Sequence, residues 1–206
     1  MLPKRSGLVH RDSLGCKMSY GDGAVQWMTA GRGMLHEEMW DVDKPNEDFE
    51  LYQLWVNLPP QHKFTPPRCQ LLTPQGAPAA AAVEREGRLS DVRRAEIPII
   101  EAQGGKVTVR LLAGELDGVR GGAETFSPMT LAHVELWGHG TTHSVAVPVG
   151  WTCFAYVRRG KVRCLPPPLR PLHPLARDLP LISPWSGRRG RGRGGHVRDG
   201  VLCRGR

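Results

Sequence analysis

The sequence predicts an all-β fold, a sandwich or barrel built from short strands. Three observations carry that expectation. Apolar, β-branched and aromatic residues gather in short runs rather than in long ones. The 25 Gly and 18 Pro of the 206 residues break those runs at frequent intervals. No stretch sustains the 3.6-residue apolar period of a long amphipathic helix.

Taken in order, the first clear unit is Gln26–Met39, a short apolar strand, a turn bracketed by Gly31 and Gly33, and a second strand. Leu51–Leu58 reads as a further strand, rich in Leu, Val and aromatic residues. Gln75–Gly87 reads as a low-complexity loop, and Ala79–Leu89, which overlaps it, is expected to form at most a short helix. Glu96–Glu101 is apolar but contains Pro98, which restricts it to an edge strand. Val107–Leu112, Leu131–Leu136 and Thr152–Val157 complete the expected strands. Turns are expected at Tyr20–Gly23, Gly104-Gly105 and Gly121-Gly122.

The residues with chemistry to offer are few. His36 and Glu38 are two apart on the second strand of the first unit, so both side chains leave the same face. An imidazole and a carboxylate converging on a rigid β scaffold suit Fe(II) or Mn(II), with Glu38 also able to accept a proton. His133 and Glu135 repeat the spacing near His139 and His143, but Gly138 and Gly140 point to a turn, and a surface role is expected there.

The residues around His36 resemble the pirin family of two-domain cupins. The likeness begins at His10-Arg11-Asp12-Ser13-Leu14-Gly15 and is densest in Val25-Gln26-Trp27-Met28-Thr29-Ala30-Gly31-Arg32-Gly33. It continues through His36-Glu37-Glu38-Met39, Leu54–Pro59 and Thr65-Pro66-Pro67-Arg68, and returns weakly at Ser127-Pro128-Met129 and Pro148–Val157. The resemblance implies two cupin jelly-roll barrels (a bicupin). It implies a single Fe(II) ion in the first barrel, held by three His and one Glu. Gly33, His36 and Glu38 match the second half of that ligand set, while the His-x-His that supplies the first half has no counterpart ahead of His10, a position that is not a ligand in the family. The chain is therefore expected to be incomplete at both ends: an N-terminal cupin over 1–118 lacking its first strands, a partial second cupin over 119–164, and a Pro/Arg/Gly-rich irregular tail over 165–206.

Charge and cysteines bound the function further. The net charge is +8, but seven Arg against Asp199 between Trp185 and Arg206 account for +6 of it. The body is nearly neutral, which argues against a nucleic-acid-binding domain. Arg188–Arg193 with its glycines reads either as a short Arg-Gly RNA-binding segment or as the biased product of a GC-rich reading frame. The five cysteines are scattered without Cys-x-x-Cys spacing, and no signal peptide or membrane-spanning run is visible, so reduced thiols in the cytoplasm or nucleus are expected. Two function classes follow from the resemblance: an iron-dependent dioxygenase acting on quercetin-like flavonols, or a non-catalytic protein, either a nuclear coregulator that meets a transcription-factor partner or an inactive fragment with an incomplete metal site.

Overall fold

A computed structural model of the chain describes residues 7–21, 23–41, 50–76, 82–85, 93–163 and 202–205. Its regular elements are strands apart from one 3-10 turn at Pro60–His62. In chain order they are β1 (Gly7–Asp12), β2 (Cys16–Gly21), β3 (Val25–Thr29), β4 (His36–Asp41), β5 (Arg68–Pro74), β6 (Ala82–Arg85) and β7 (Arg93–Ile97). There follow β8 (Ile99–Ala102), β9 (Val107–Ala113), β10 (Glu115–Leu116), β11 (Val119–Arg120), β12 (Leu131–Leu136), β13 (Ser144–Val147) and β14 (Leu202–Gly205).

The sheets have the orders β4-β1-β2-β6, β3-β5-β7 and β12-β9-β8, with small pairs β10-β11 and β13-β14. The chain divides into two compact units, one of Met1–Ile100 with Thr108–His133, the other of Glu101–Val107 with Val134–Arg206. The first unit holds the two apolar cores. Strands β1 and β2 alternate buried and half-buried positions, so Leu8, Cys16, Met18 and Tyr20 share one face. That face packs on Ala24 and on Cys69 and Leu71 of β5. The intervening β5 residue Leu72 points the other way, into a second core with Val25, Ile97, Leu112, Ala113 and Ala123. Strand β5 is thus apolar on both faces, as a central strand buried between two layers must be.

A polar clasp fixes residues 121–126 against this double-sided strand. The Gln70 side chain accepts a hydrogen bond from the Glu124 backbone N–H at 2.8 Å, and the Trp27 indole donates to the Glu124 carbonyl at 3.2 Å. The Glu124 carboxylate meets Arg68 at 2.9 Å and Arg93 at 2.7 Å. Arg68 also lies over the Phe126 ring, 4.8 Å from its centre.

Several expectations need correction. Leu51–Leu58 is not a strand: no neighbour completes its ladder among the described residues, and Leu54, Trp55 and Val56 are exposed. Propensity extends a backbone, but a strand needs a paired edge. Thr152–Val157 likewise forms no strand among the described residues, and Phe154 and Tyr156 are exposed. Of Ala79–Leu89 only Ala82–Arg85 is described, and it is a strand paired antiparallel with Cys16–Ser19 rather than a helix; the remaining positions lie outside the described residues. Of the tail, only Leu202–Gly205 is described, as a short strand parallel to Ser144–Val147; Arg188–Arg193 lies outside the described residues. The restriction at Pro98 holds as expected: the apolar run splits there into β7 and β8, each at a sheet edge.

The turn between β3 and β4 depends on glycine. Gly31 has φ +52, and a Cβ built there would sit 2.1 Å from the Thr65 carbonyl oxygen. The Arg32 N–H donates to that same oxygen at 3.0 Å, so the loops cannot simply separate. Gly31→Ala is expected to cost about 2 kcal/mol or more through combined strain and clash. Leu71→Ala, which empties the centre of the first core, is expected to cost roughly 2–5 kcal/mol. Denaturant unfolding of the two variants checks both; a midpoint equal to that of the parent chain would refute either assignment.

Candidate metal centre

Strand register builds the site. In the antiparallel pair β1–β4, His10 stands opposite Glu38 and Asp12 opposite His36. Directly opposed residues share a face, and so do residues two apart on one strand. His10, Asp12, His36 and Glu38 therefore form a two-by-two array on the face that carries Leu8, Met18 and Tyr20. On the opposite face Arg11 pairs with Glu37 at 3.2 Å, both side chains about half exposed.

The array is wet on one side and dry on the other, because β4 ends the sheet while β1 lies inside it. His36 is exposed, and Glu38 is half-buried with Oε2 accepting a hydrogen bond from Gln53 Nε2 at 3.1 Å. His10 is fully buried, and its ring stacks on that of His36 with centroids 5.5 Å apart. Its Nε2 lies 3.0 Å from Asp12 Oδ2, both side chains 0% exposed. The other carboxylate oxygen, Asp12 Oδ1, accepts from the backbone N–H groups of Leu14 and Cys16 at 2.9 and 3.2 Å.

Cys69 closes the array from the facing sheet. Its Sγ donates to Asp12 Oδ2 at 3.5 Å and lies 4.0 Å from Met34 Sδ. Gln26 Nε2 donates to Cys69 at 3.7 Å, and Tyr20 donates through its hydroxyl to Gln26 at 2.8 Å. Burial, reinforced by the neighbouring Asp12 charge, pushes the Cys69 thiol up to about 12. Burial also raises the Tyr20 phenol, with a further contribution from Glu38.

The structure thus brings His36 and Glu38 to one face, as the two-residue spacing requires. Among the described residues it gathers no third donor around them. The only trio of His, Cys, Asp or Glu whose ligand atoms lie within 4.8 Å of one another there is His10, Asp12 and Cys69. Of the ligand set that the resemblance implies, the described residues place His36 and Glu38 on one face and bring no third donor beside them. His133 and Glu135 lie on β12, His139 in the glycine turn and His143 buried beyond it; they gather no three-donor cluster among the described residues. Asp12 and Cys69 were not singled out as site residues in the sequence. Asp12 was legible as the same-face partner of His10, whereas Cys69 lies 57 residues away and carries no local signal.

Comparison with known proteins agrees with this architecture. The Pirin family profile matches residues 5–56, which include β1 to β4 and the whole two-by-two array. A pirin-like protein of Arabidopsis thaliana is 34% identical over 76% of this chain and 48% of its own length. The chain belongs to the pirin family. Its fold is accordingly the all-β cupin class. Another pirin-family relative, a Pseudomonas aeruginosa protein described as a candidate quercetin 2,3-dioxygenase, is 35% identical over 73% of this chain and 46% of its own. A solved quercetin 2,3-dioxygenase from Acinetobacter baumannii aligns at 32% identity and TM-score 0.47 over 66% of this chain and 41% of that one; the sequence matches, rather than this partial superposition, carry the assignment. This pirin-family chain spans just under half the length of the curated relatives named here.

The thiols of the pirin-family chain should differ sharply in reactivity. Only the thiolate is nucleophilic, and the raised Cys69 value leaves almost none at pH 8. Cys153 is exposed. Peptide mapping after brief iodoacetamide treatment of the folded chain should find Cys153 alkylated well before Cys69, with the difference erased in denaturant. Equal labelling in the folded chain would contradict the burial of Cys69.

Proposed function

We propose that the protein is a pirin-type metal-binding cupin whose ion-facing pair is His36 and Glu38, and that the chemistry served by this wall is dioxygen-dependent oxidation of a flavonol-like small molecule. The observation that carries the reading is the shared face of the two residues on β4, beside an open edge where substrate has access. The Gln53 hydrogen bond steadies Glu38 through one oxygen and leaves the other available to an ion or to a substrate hydroxyl proton. The Pseudomonas relative supplies the substrate class by its description. When bound, the ion would act as a Lewis acid toward the enol oxygen of such a substrate. Two protein ligands hold a first-row divalent ion weakly, so turnover requires two further imidazoles on the same wall.

That shortage of donors among the described residues favours a second reading. In it the protein is a non-catalytic binding module in the cytoplasm or nucleus, meeting a transcription-factor partner without a tightly held ion.

Anaerobic loading of the full chain with Fe(II), followed by desalting and metal analysis, separates the readings. The expected result is well under one equivalent of iron, a further loss of about tenfold in His36→Ala and Glu38→Gln, and no consumption of quercetin in air. Residual iron that ignores both substitutions would overturn the assignment of the pair. Stoichiometric, chelator-sensitive iron with quercetin turnover would overturn the two-donor account and the second reading together.

A further inference from the structure

Among the described residues, the three metal-ligating donors that come together do not include His36 or Glu38. They are His10 Nε2, Asp12 Oδ2 and Cys69 Sγ, whose side chains meet from two facing sheets with the imidazole and the carboxylate fully buried. We propose that these three atoms form a second metal site, separate from the His36–Glu38 pair, for a thiophilic divalent ion of the Zn2+ class.

Geometry is the first support. Tetrahedral Zn2+ with bonds of about 2.0–2.3 Å separates neighbouring ligand atoms by roughly 3.3–3.6 Å. The nitrogen–oxygen separation is 3.0 Å and the sulfur–oxygen separation 3.5 Å, so small side-chain adjustments admit an ion at the centre. Met34 Sδ, 4.0 Å from Cys69 Sγ, offers a soft neighbour for the fourth position, which a water fills equally well.

Charge is the second. A thiolate, a carboxylate and a neutral imidazole around a doubly charged ion sum to zero, the condition under which ionic groups are tolerated in a core. In forming the site, the Cys69 thiol proton leaves to solvent and the imidazole proton moves from Nε2 to Nδ1. Nδ1 of His10 is buried with no hydrogen-bond partner, so ligation through Nε2 leaves its N–H without an acceptor, a cost that the bonds to the ion must offset. The carboxylate oxygen turned away from the trio, Asp12 Oδ1, is held by two backbone N–H groups and fixes Oδ2 in place, as supporting bonds do around structural metal ligands. His36 stacks on His10 from the solvent side and marks the way in.

The ligand type distinguishes this site from the β4 pair, which has no sulfur. Titrating the full reduced chain with Co2+, a spectroscopic substitute for Zn2+, should give a near-ultraviolet thiolate-to-cobalt charge-transfer band that saturates at one equivalent. Zn2+ should abolish the band. Cys69→Ser and His10→Gln should each lose it, whereas Glu38→Gln and Cys153→Ser should keep it. The absence of a band in a chain shown by circular dichroism to be folded would overturn the proposal. So would a band that survives Cys69→Ser, which would place the ion on another thiol, or one that disappears in Glu38→Gln, which would place it on β4. Retention in Glu38→Gln also keeps this result independent of iron binding at His36 and Glu38.

Discussion

The antiparallel register of β1 against β4 is the constraint on which the rest of the site depends. It sets Asp12 opposite His36 and His10 opposite Glu38, and a slip of one residue would turn Arg11 and Glu37 inward instead. The exposed Arg11–Glu37 ion pair cannot hold that register, because such pairs contribute only about 0–1 kcal/mol. The core side can. Leu8 and Met18 are 1% and 0% exposed, and side chains of this size gain about 1.5–3 kcal/mol each on full burial. A slip would expose them along with His10. The chemistry of the face is thus fixed by the apolar residues that share it.

The position of β4 at the sheet edge explains why one wall contains two different environments. Among the described residues no strand pairs with its outward side, and His36, Met39 and Trp40 are exposed although they adjoin a buried sheet. One strand inward, His10 and the Asp12 side chain have no exposure at all. The shift from accessible to dry therefore occurs across a single inter-strand spacing of about 4.8 Å. A donor's reactivity in this unit follows from which of the two strands carries it. Residues on β4 can exchange with solvent, whereas those on β1 and β5 are held by their neighbours.

Much of this was legible in the sequence, and the failures have a common cause. The period of two placed His36 and Glu38 on one face without a structure, and Pro98 split its strand where a missing N–H must. Leu51–Leu58 has the same apolar character as true strands, yet forms none, because composition does not reveal whether a partner edge is at hand. Ala82–Arg85 errs in the opposite direction: an Ala-containing segment with helical propensity is drawn into extended pairing by the edge of β2. Cys69 fails for the same non-local reason. Its meaning comes from Asp12, and only the closure of one sheet over the other brings them within 3.5 Å.

That closure poses a problem which the surrounding residues solve together. A carboxyl group with no exposure is tolerated in an apolar core only where donors replace the water it has lost. Asp12 has four: two backbone N–H groups from the turn after β1, the His10 ring and the Cys69 thiol. The turn donors are local and cost little chain entropy to bring into place, so the Oδ1 side is secured as soon as β1 turns into β2. The Oδ2 side depends on β5, far along the chain, and is completed only when the sheets meet. Substituting Cys69 therefore removes more than a thiol. It takes away the only contribution of the opposite sheet to the Asp12 shell among the hydrogen bonds described, and the carboxylate becomes the most exacting test of whether the two sheets have closed.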